Sequence, residues 1–217
     1  MTSASFTDTE FIVRTIAQTA VDNEKEFGDL DSVVGDGDFG YSLARGFEVV
    51  LTDWESYDRS DIGTFMQKIA MAITGRIGGT SGPIWGTAFI RAATIAKGRD
   101  ELDGADVVAM LRSAAEGIKA RGKAEVGDKT LLDALVPMTD AIELSLAAGA
   151  TPAEVVAAAA TAARESADAT SALQARRGRA SYSGERSIGS PDAGAVAIAV
   201  IAERIDSEWA RKGEFTL

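Results

Sequence analysis

Along most of this chain the apolar residues recur at the three- and four-residue spacing of one helix face, and nowhere do they alternate with period two for long. Phe11, Ile12, Ile16, Ala20 and Phe27 predict a first helix that ends near Gly28. Further periodic stretches between breakers predict helices over about 40–54, 60–74, 81–98, 104–121, 129–148, 152–176 and 192–211, which makes eight. The clearest start is Thr151-Pro-Ala-Glu154. It combines a capping hydroxyl, a proline where a missing N–H costs nothing, and a Glu at the third helical position. Val155 to Ala163 is so rich in Ala that it marks close helix contact in a tight bundle. The long polar stretch Gln174 to Gly194 reads as a loop of the same domain rather than a linker, because Tyr182 and Ile188 give it something to pack with. The expected fold class is all-α, one antiparallel bundle in a single domain over 1–217.

Composition narrows the chemistry. Only 4 Pro and 6% aromatic residues in 217 suit close-packed helices better than sheets. With no Cys, disulfides, thiolate catalysis and zinc ribbons are excluded. With no His, the chain has neither an imidazole base nor a phosphohistidine. A formal charge of −11, from 33 acidic and 22 basic residues, disfavours nucleic acid and anionic lipid as partners. No apolar run approaches the roughly 20 residues needed to span a bilayer, and Met-Thr-Ser-Ala-Ser-Phe lacks a basic region before an apolar core. The expected location is cytoplasmic, with no membrane partner.

Four Gly-rich polar segments each run into an apolar helix. In Asp31-Ser-Val-Val-Gly-Asp36-Gly-Asp38-Phe-Gly40, glycines let the backbone turn tightly enough for three carboxylates to converge as hard ligands for magnesium or calcium. The spacing is not that of an EF-hand, and magnesium, which shares its coordination with water and phosphates, suits it better. A solvated acidic turn is the alternative. Gly75-Arg-Ile-Gly-Gly-Thr-Ser-Gly-Pro-Ile-Trp-Gly-Thr87 opens a helix and offers free amides to an anion, although it is neither a Walker loop nor a dinucleotide fingerprint. Its alternative is a glycine-rich helix crossing. Gly127-Asp-Lys-Thr130 and Gly178 to Gly194 complete the set, with Lys129 and Arg179 as candidate phosphate helpers. Metal ligands plus an anion cradle point to a nucleotide held through its phosphates, at the end of the bundle where these loops gather.

Together, Gly35-Asp-Gly-Asp38, Gly78-Gly-Thr-Ser-Gly-Pro83, Gly127-Asp-Lys-Thr130 and Gly178-Arg-Ala-Ser-Tyr182 with Gly184-Glu-Arg-Ser187 resemble the nucleotide-binding L subunits of dihydroxyacetone kinases, motif by motif and in order. The resemblance spans nearly the whole chain. It implies an eight-helix barrel holding ADP or ATP through two magnesium ions ligated by Asp31, Asp36 and Asp38. Phe39, Gly40, Tyr41, Ser42, Thr80 and Ser81 would meet phosphate oxygens. Gly122, Leu131, Asp192, Ala193 and Gly194 would line the nucleoside pocket. Arg179 would stabilise phosphate, and no residue would act as nucleophile or base. Relatives often carry His or Cys at the position of Phe39, and His and Pro at those of Ser190 and Ala193. The implied role is phosphoryl donation to a ketose held through a histidine on a separate K subunit. A phosphocarrier subunit and a second copy of this chain are further implied partners. An L-type subunit for a related ketose such as erythrulose, or a helical module that binds nucleotide or lipid without transfer, are the alternatives.

Overall fold

The computed structural model describes residues 4–212, so residues 1–3 and 213–217 of the expected domain, with the first three residues of the leader reading, lie outside the described residues. Among the described residues the chain forms α1 (Phe6–Asp22), α2 (Glu24–Asp31), α3 (Phe39–Thr52), α4 (Ile62–Arg76), α5 (Ser81–Ile95), α6 (Gly104–Gly122), α7 (Leu132–Ala147), α8 (Pro152–Ala169) and α9 (Ala193–Trp209). Short 3-10 turns cover Trp54–Ser56, Thr170–Ala172 and Arg179–Ser187, the last broken at Gly184 (φ 57°). A two-residue antiparallel ladder pairs β1 (Ala4–Ser5) with β2 (Glu101–Leu102) and was not foreseen from the sequence.

Capping chemistry sets most of the starts. Ser5, Asp103 and Thr151 form reciprocal capping boxes with Asp8, Asp106 and Glu154, and Asp61 and Asp192 accept the Thr64 and Ala195 amides at the heads of α4 and α9. The predicted first helix is two helices. Asn23 leaves helical geometry (φ −103°, ψ 18°), and its side-chain amide donates to the Thr19 carbonyl at 2.8 Å, sharing that acceptor with its own backbone N–H at 3.1 Å. The helix expected over 152–176 stops at Ala169, where the Thr170 hydroxyl turns back to the Ala167 carbonyl at 2.5 Å.

The packing order closes a ring. α1 packs on α3, each helix from α3 to α9 packs on the next, and α9 returns to α1, so eight helices form the staves of a barrel with α2 set against α3. Phe27, Phe47, Phe65, Ile62, Ile69 and Ile73 fill its middle, while Ala163, Ala167, Ala195, Ala197 and Ala199 let α8 and α9 meet closely. Contacts sort the connections into two ends. At one end the Ile62 amide donates to Arg99 O (2.9 Å), the Gly98 amide to Asp61 Oδ1 (3.0 Å), and the β1–β2 ladder joins the N-terminal stretch to the α5–α6 connection. The four Gly-rich connections meet at the other. No helix among the described residues is long and apolar enough to cross a membrane.

Candidate functional site

The acidic loop folds back because Asp31, the last residue of α2, receives it. Its carbonyl accepts the Val34 and Gly35 amides (3.2 and 2.6 Å), and its Oδ2 accepts the Gly37 amide (2.9 Å). A Cβ at Gly35 would lie 2.8 Å from Asp31 Cγ, and Gly37 takes a left-handed φ of 76°. The fold-back brings one carboxylate oxygen each of Asp31, Asp36 and Asp38 within 4.8 Å of one another. Asp38 caps α3 through its carbonyl, which accepts the Ser42 amide at 2.9 Å, while its side chain makes no capping bond. Burial and the neighbouring Asp36 and Asp31 charges push the Asp38 carboxyl up, with Arg179 pulling the other way. The acidic-loop expectation thus becomes a converged carboxylate triad at the positive end of a helix.

Gly40 seats α3 against α2. A Cβ there would overlap the Glu24 carbonyl and lie 2.5 Å from the Gly28 nitrogen. The Phe39 ring turns inward to Phe27 (centroids 6.1 Å apart), and Tyr41 stands 59% exposed with the Arg45 guanidinium 5.2 Å over its ring. What these residues offer the loop end is their backbone, in the first helical turn where amides lack ladder partners. Gly78 brings the second Gly-rich loop to Ser42: a Cβ there would sit 4.0 Å from the Ser42 hydroxyl. Thr80 and Ser81 follow at the head of α5 with no side-chain cap, leaving the amides of another helix start free for an anion.

The 170–192 connection lies across this loop. Arg179 Nε contacts Asp36 Oδ2 at 2.8 Å, and the Ser183 hydroxyl donates to Val34 O at 3.2 Å. Farther along, the Arg176 amide donates to Asp128 O (3.0 Å), and Arg177 pairs with the Asp128 carboxylate (3.2 Å). Lys129, expected beside Arg179 as a phosphate helper, is elsewhere. It is 2% exposed, and its ammonium donates to the carbonyls of Leu173 (3.1 Å), Ser187 and Ser190 (2.6 Å). An ammonium has three donors, so none remains for a phosphate.

The remaining expected residues form an apolar neighbourhood one turn along α5. Gly122 ends α6 beside Ile84 and Ala124, and Ile84, Ala124 and Leu131 share one apolar cluster. Leu131 also lies against Gly194, where a Cβ would be 3.2 Å from its own, so the starts of α7 and α9 adjoin. Leu131 is part core and part wall. Asp192 and Ala193 form the N-cap and first residue of α9.

Sequence reasoning missed the residues that brace these loops. Asp133 accepts the Gly127 and Thr130 amides (2.5 and 2.7 Å), and the spacing Thr130-Leu-Leu-Asp133 is a capping pattern that signalled it. Thr170 accepts the Asp192 amide at 2.8 Å, and Ser187 accepts the Ala175 amide at 2.9 Å; nothing local marks either.

Asp192 titrates unusually. Burial pushes its carboxyl from the ordinary 3.8 to about 7, against the Ala195 amide and the Lys129 charge and reinforced by Asp133. Between those values the folded chain holds a proton that the unfolded chain has released. This contribution to stability is complete below the ordinary value and disappears as pH rises through about 7. Urea titrations at pH 4.5 and 8 should therefore find Asp192→Asn gaining on the wild type at the higher pH. A difference independent of pH would mean that Asp192 ionises normally.

A closed helical ring with a carboxylate triad, two helix-start amide clusters and an arginine gathered at one end defines an all-α barrel with a composite end-loop site. The chain belongs to the DAK2 domain family, whose model matches residues 33–207. It is 40% identical over 169 residues to the PEP-dependent dihydroxyacetone kinase ADP-binding subunit DhaL of Escherichia coli (strain K12), covering 78% of this chain and 80% of that one. It is 37% identical to the L-erythrulose kinase of Pectobacterium atrosepticum over 85% of this chain, but spans only 32% of that larger protein. The dihydroxyacetone kinase of C. freundii, solved in complex with AMP-PNP and Mg2+, shares the fold, with a TM-score of 0.75, 23% identity, and coverage of 96% of this chain and 35% of that one.

Proposed function

We propose that this chain is the nucleotide-binding, phosphoryl-donating L-type subunit of a dihydroxyacetone (glycerone) kinase, acting on a ketose bound covalently to a separate K subunit. Residues 1–217 work as one nucleotide-binding domain in the cytoplasm. The observation that carries this reading is the convergence of Asp31, Asp36 and Asp38, one oxygen of each within 4.8 Å of the others, with Arg179 reaching Asp36 from the 170–192 connection. Burial first, and then the Asp36 and Asp31 charges, push the Asp38 carboxyl up, and a hard divalent cation between the carboxylates would remove that penalty. The reading includes two such ions, which Asp31, Asp36 and Asp38 would hold between them. Magnesium supplies the positive charge that lets an acidic loop accept a polyphosphate.

Each residue then has a defined task. The three carboxylates hold the cations and fix the face on which phosphates lie. The amides of Phe39, Gly40 and Tyr41, the Ser42 hydroxyl, and the Thr80 and Ser81 groups receive phosphate oxygens in place of water. Arg179, 66% exposed and paired with Asp36, exchanges that partner for a phosphate oxygen. Gly122, Leu131, Asp192, Ala193 and Gly194 border the nucleoside. Positioning and charge neutralisation carry most of phosphoryl transfer, so the chain needs no nucleophile or base of its own, in keeping with the absence of His. The relative named as an ADP-binding subunit and the fold neighbour solved with AMP-PNP and Mg2+ support ADP or ATP as the ligand. The PEP-dependent name of the first also motivates a phosphocarrier partner, and a homodimer remains part of the proposal.

The similarity to the L-erythrulose kinase favours a second reading in which erythrulose is the acceptor. One assay separates the cases. With Mg-ATP, the chain alone should phosphorylate neither ketose, and adding a ketose-binding K subunit should start turnover. Whichever ketose is consumed identifies the acceptor. Robust turnover by the chain alone, lost in an Asp38→Ala preparation, would overturn the division of labour. No turnover with any K subunit despite tight nucleotide binding would leave a binding module.

A further inference from the structure

Lys129 is a buried cation for which this mechanism has no use. It stands in a turn fixed on both sides: Asp133 accepts the Gly127 and Thr130 amides, and the Asp128 carboxylate accepts the Glu125 amide at 3.0 Å. That bracing holds Lys129 at φ 63°, a left-handed conformation costly for any residue with a Cβ. It also directs the side chain inward. The three carbonyls that receive its ammonium belong to Leu173, Ser187 and Ser190, so they bracket the excursion that carries Arg179 and close it at the neck. No carboxylate pairs directly with the ammonium among the described contacts. Burial lowers its proton affinity, and Asp192 partly restores it at longer range. A compact ammonium with three tetrahedral donors can serve three converging carbonyls, whereas a planar guanidinium cannot.

Resting on the proposed site, we infer that Lys129 is a positioning residue: a buried clamp that holds the 173–190 segment so that Arg179 stands over the acidic loop. The segment has other ties, since Arg176 and Arg177 hold Asp128, the Ser187 hydroxyl accepts the Ala175 amide and the Gly189 amide donates to Ser171 O, but the Lys129 ammonium joins three of its carbonyls at one point. Ser183 reaches Val34 O and Arg179 reaches Asp36, both at the exposed tip. Without the ammonium, three carbonyls lose their donor and the neck opens, while the barrel staves keep their own apolar core.

Magnesium–ADP titrations by calorimetry, paired with brief trypsin digestion, test the clamp. The segment contains four trypsin sites, Arg176, Arg177, Arg179 and Arg186. Lys129→Met should become readily cut at these sites while helical circular dichroism persists. It should bind magnesium–ADP about tenfold more weakly or worse, by analogy with the loss of supporting residues at other metal sites. Arg179→Ala should weaken binding on its own, and the double variant should be no weaker than the worse single variant, because Lys129 acts through Arg179. If Lys129→Met does not accumulate as folded protein, Lys129→Arg, which keeps charge and donors but not their geometry, carries the same test. A weakened Arg179→Ala beside an unchanged, trypsin-resistant Lys129 variant would overturn the clamp alone. Losses that multiply in the double variant would reduce Lys129 to a general structural role and overturn it as well. An Arg179→Ala variant with unchanged affinity would overturn the reading of the site.

Discussion

Replacing Asp36 with asparagine should weaken magnesium–ADP binding by about a hundredfold or more while leaving the helical circular dichroism unchanged. The two halves of that expectation have separate causes. In the free chain Asp36 is exposed and pairs with a mostly exposed Arg179, a contact of the kind that contributes at most about 1 kcal/mol. Its loss leaves α2, α3 and the Asp31–Gly37 turn with every bond they had. In the bound state the same substitution removes one of three anionic ligands, and the metal it would have helped hold no longer shields the phosphates from Asp31 and Asp38. Calorimetry with and without magnesium reads the effect. Unchanged affinity in the presence of magnesium would remove Asp36 from the ligand set and return the loop to a solvated acidic turn.

Magnesium–ADP at a thousandfold excess over its dissociation constant should stabilise the chain by about 4.1 kcal/mol, and chelator should abolish the gain. For a domain of this size that corresponds to a rise in melting temperature of roughly 8–16 °C. The dependence on cation follows from the charges. ADP brought alone to the triad meets three crowded carboxylates and a net charge of −11, with Arg179 as the positive group at the loop. With magnesium the same surface becomes attractive, and binding selects the ordered loop. Equal stabilisation with and without the divalent cation would mean that protein groups alone hold the phosphates, and the account of Asp31, Asp36 and Asp38 would be wrong.

Much of this architecture is legible because its signals are local. Ser5, Asp103 and Thr151 announce helix starts through side chains that reach only three residues. The triad is equally local: all three carboxylates lie in one eight-residue stretch, and the glycines that let it turn lie between them. The errors have local causes too. α1 parts from α2 at Asn23, whose side chain bonds back to the Thr19 carbonyl as its backbone leaves helical geometry, a local choice that the apolar periodicity across it does not register.

The sequence by itself therefore determined the helical class, most helix starts and the composition of the acidic loop, since each depends on residues a turn or less apart. Only the tertiary structure decided that the ring closes from α9 to α1, that the four Gly-rich connections share one end, and that Arg179 meets Asp36 across 143 positions of chain. It also decided the fate of Lys129. A lysine beside Gly127 and Asp128 in a polar loop reads as a phosphate contact. Whether its ammonium faces solvent or carbonyls 44 to 61 positions away depends on where those carbonyls are brought, and packing between distant segments sets that placement.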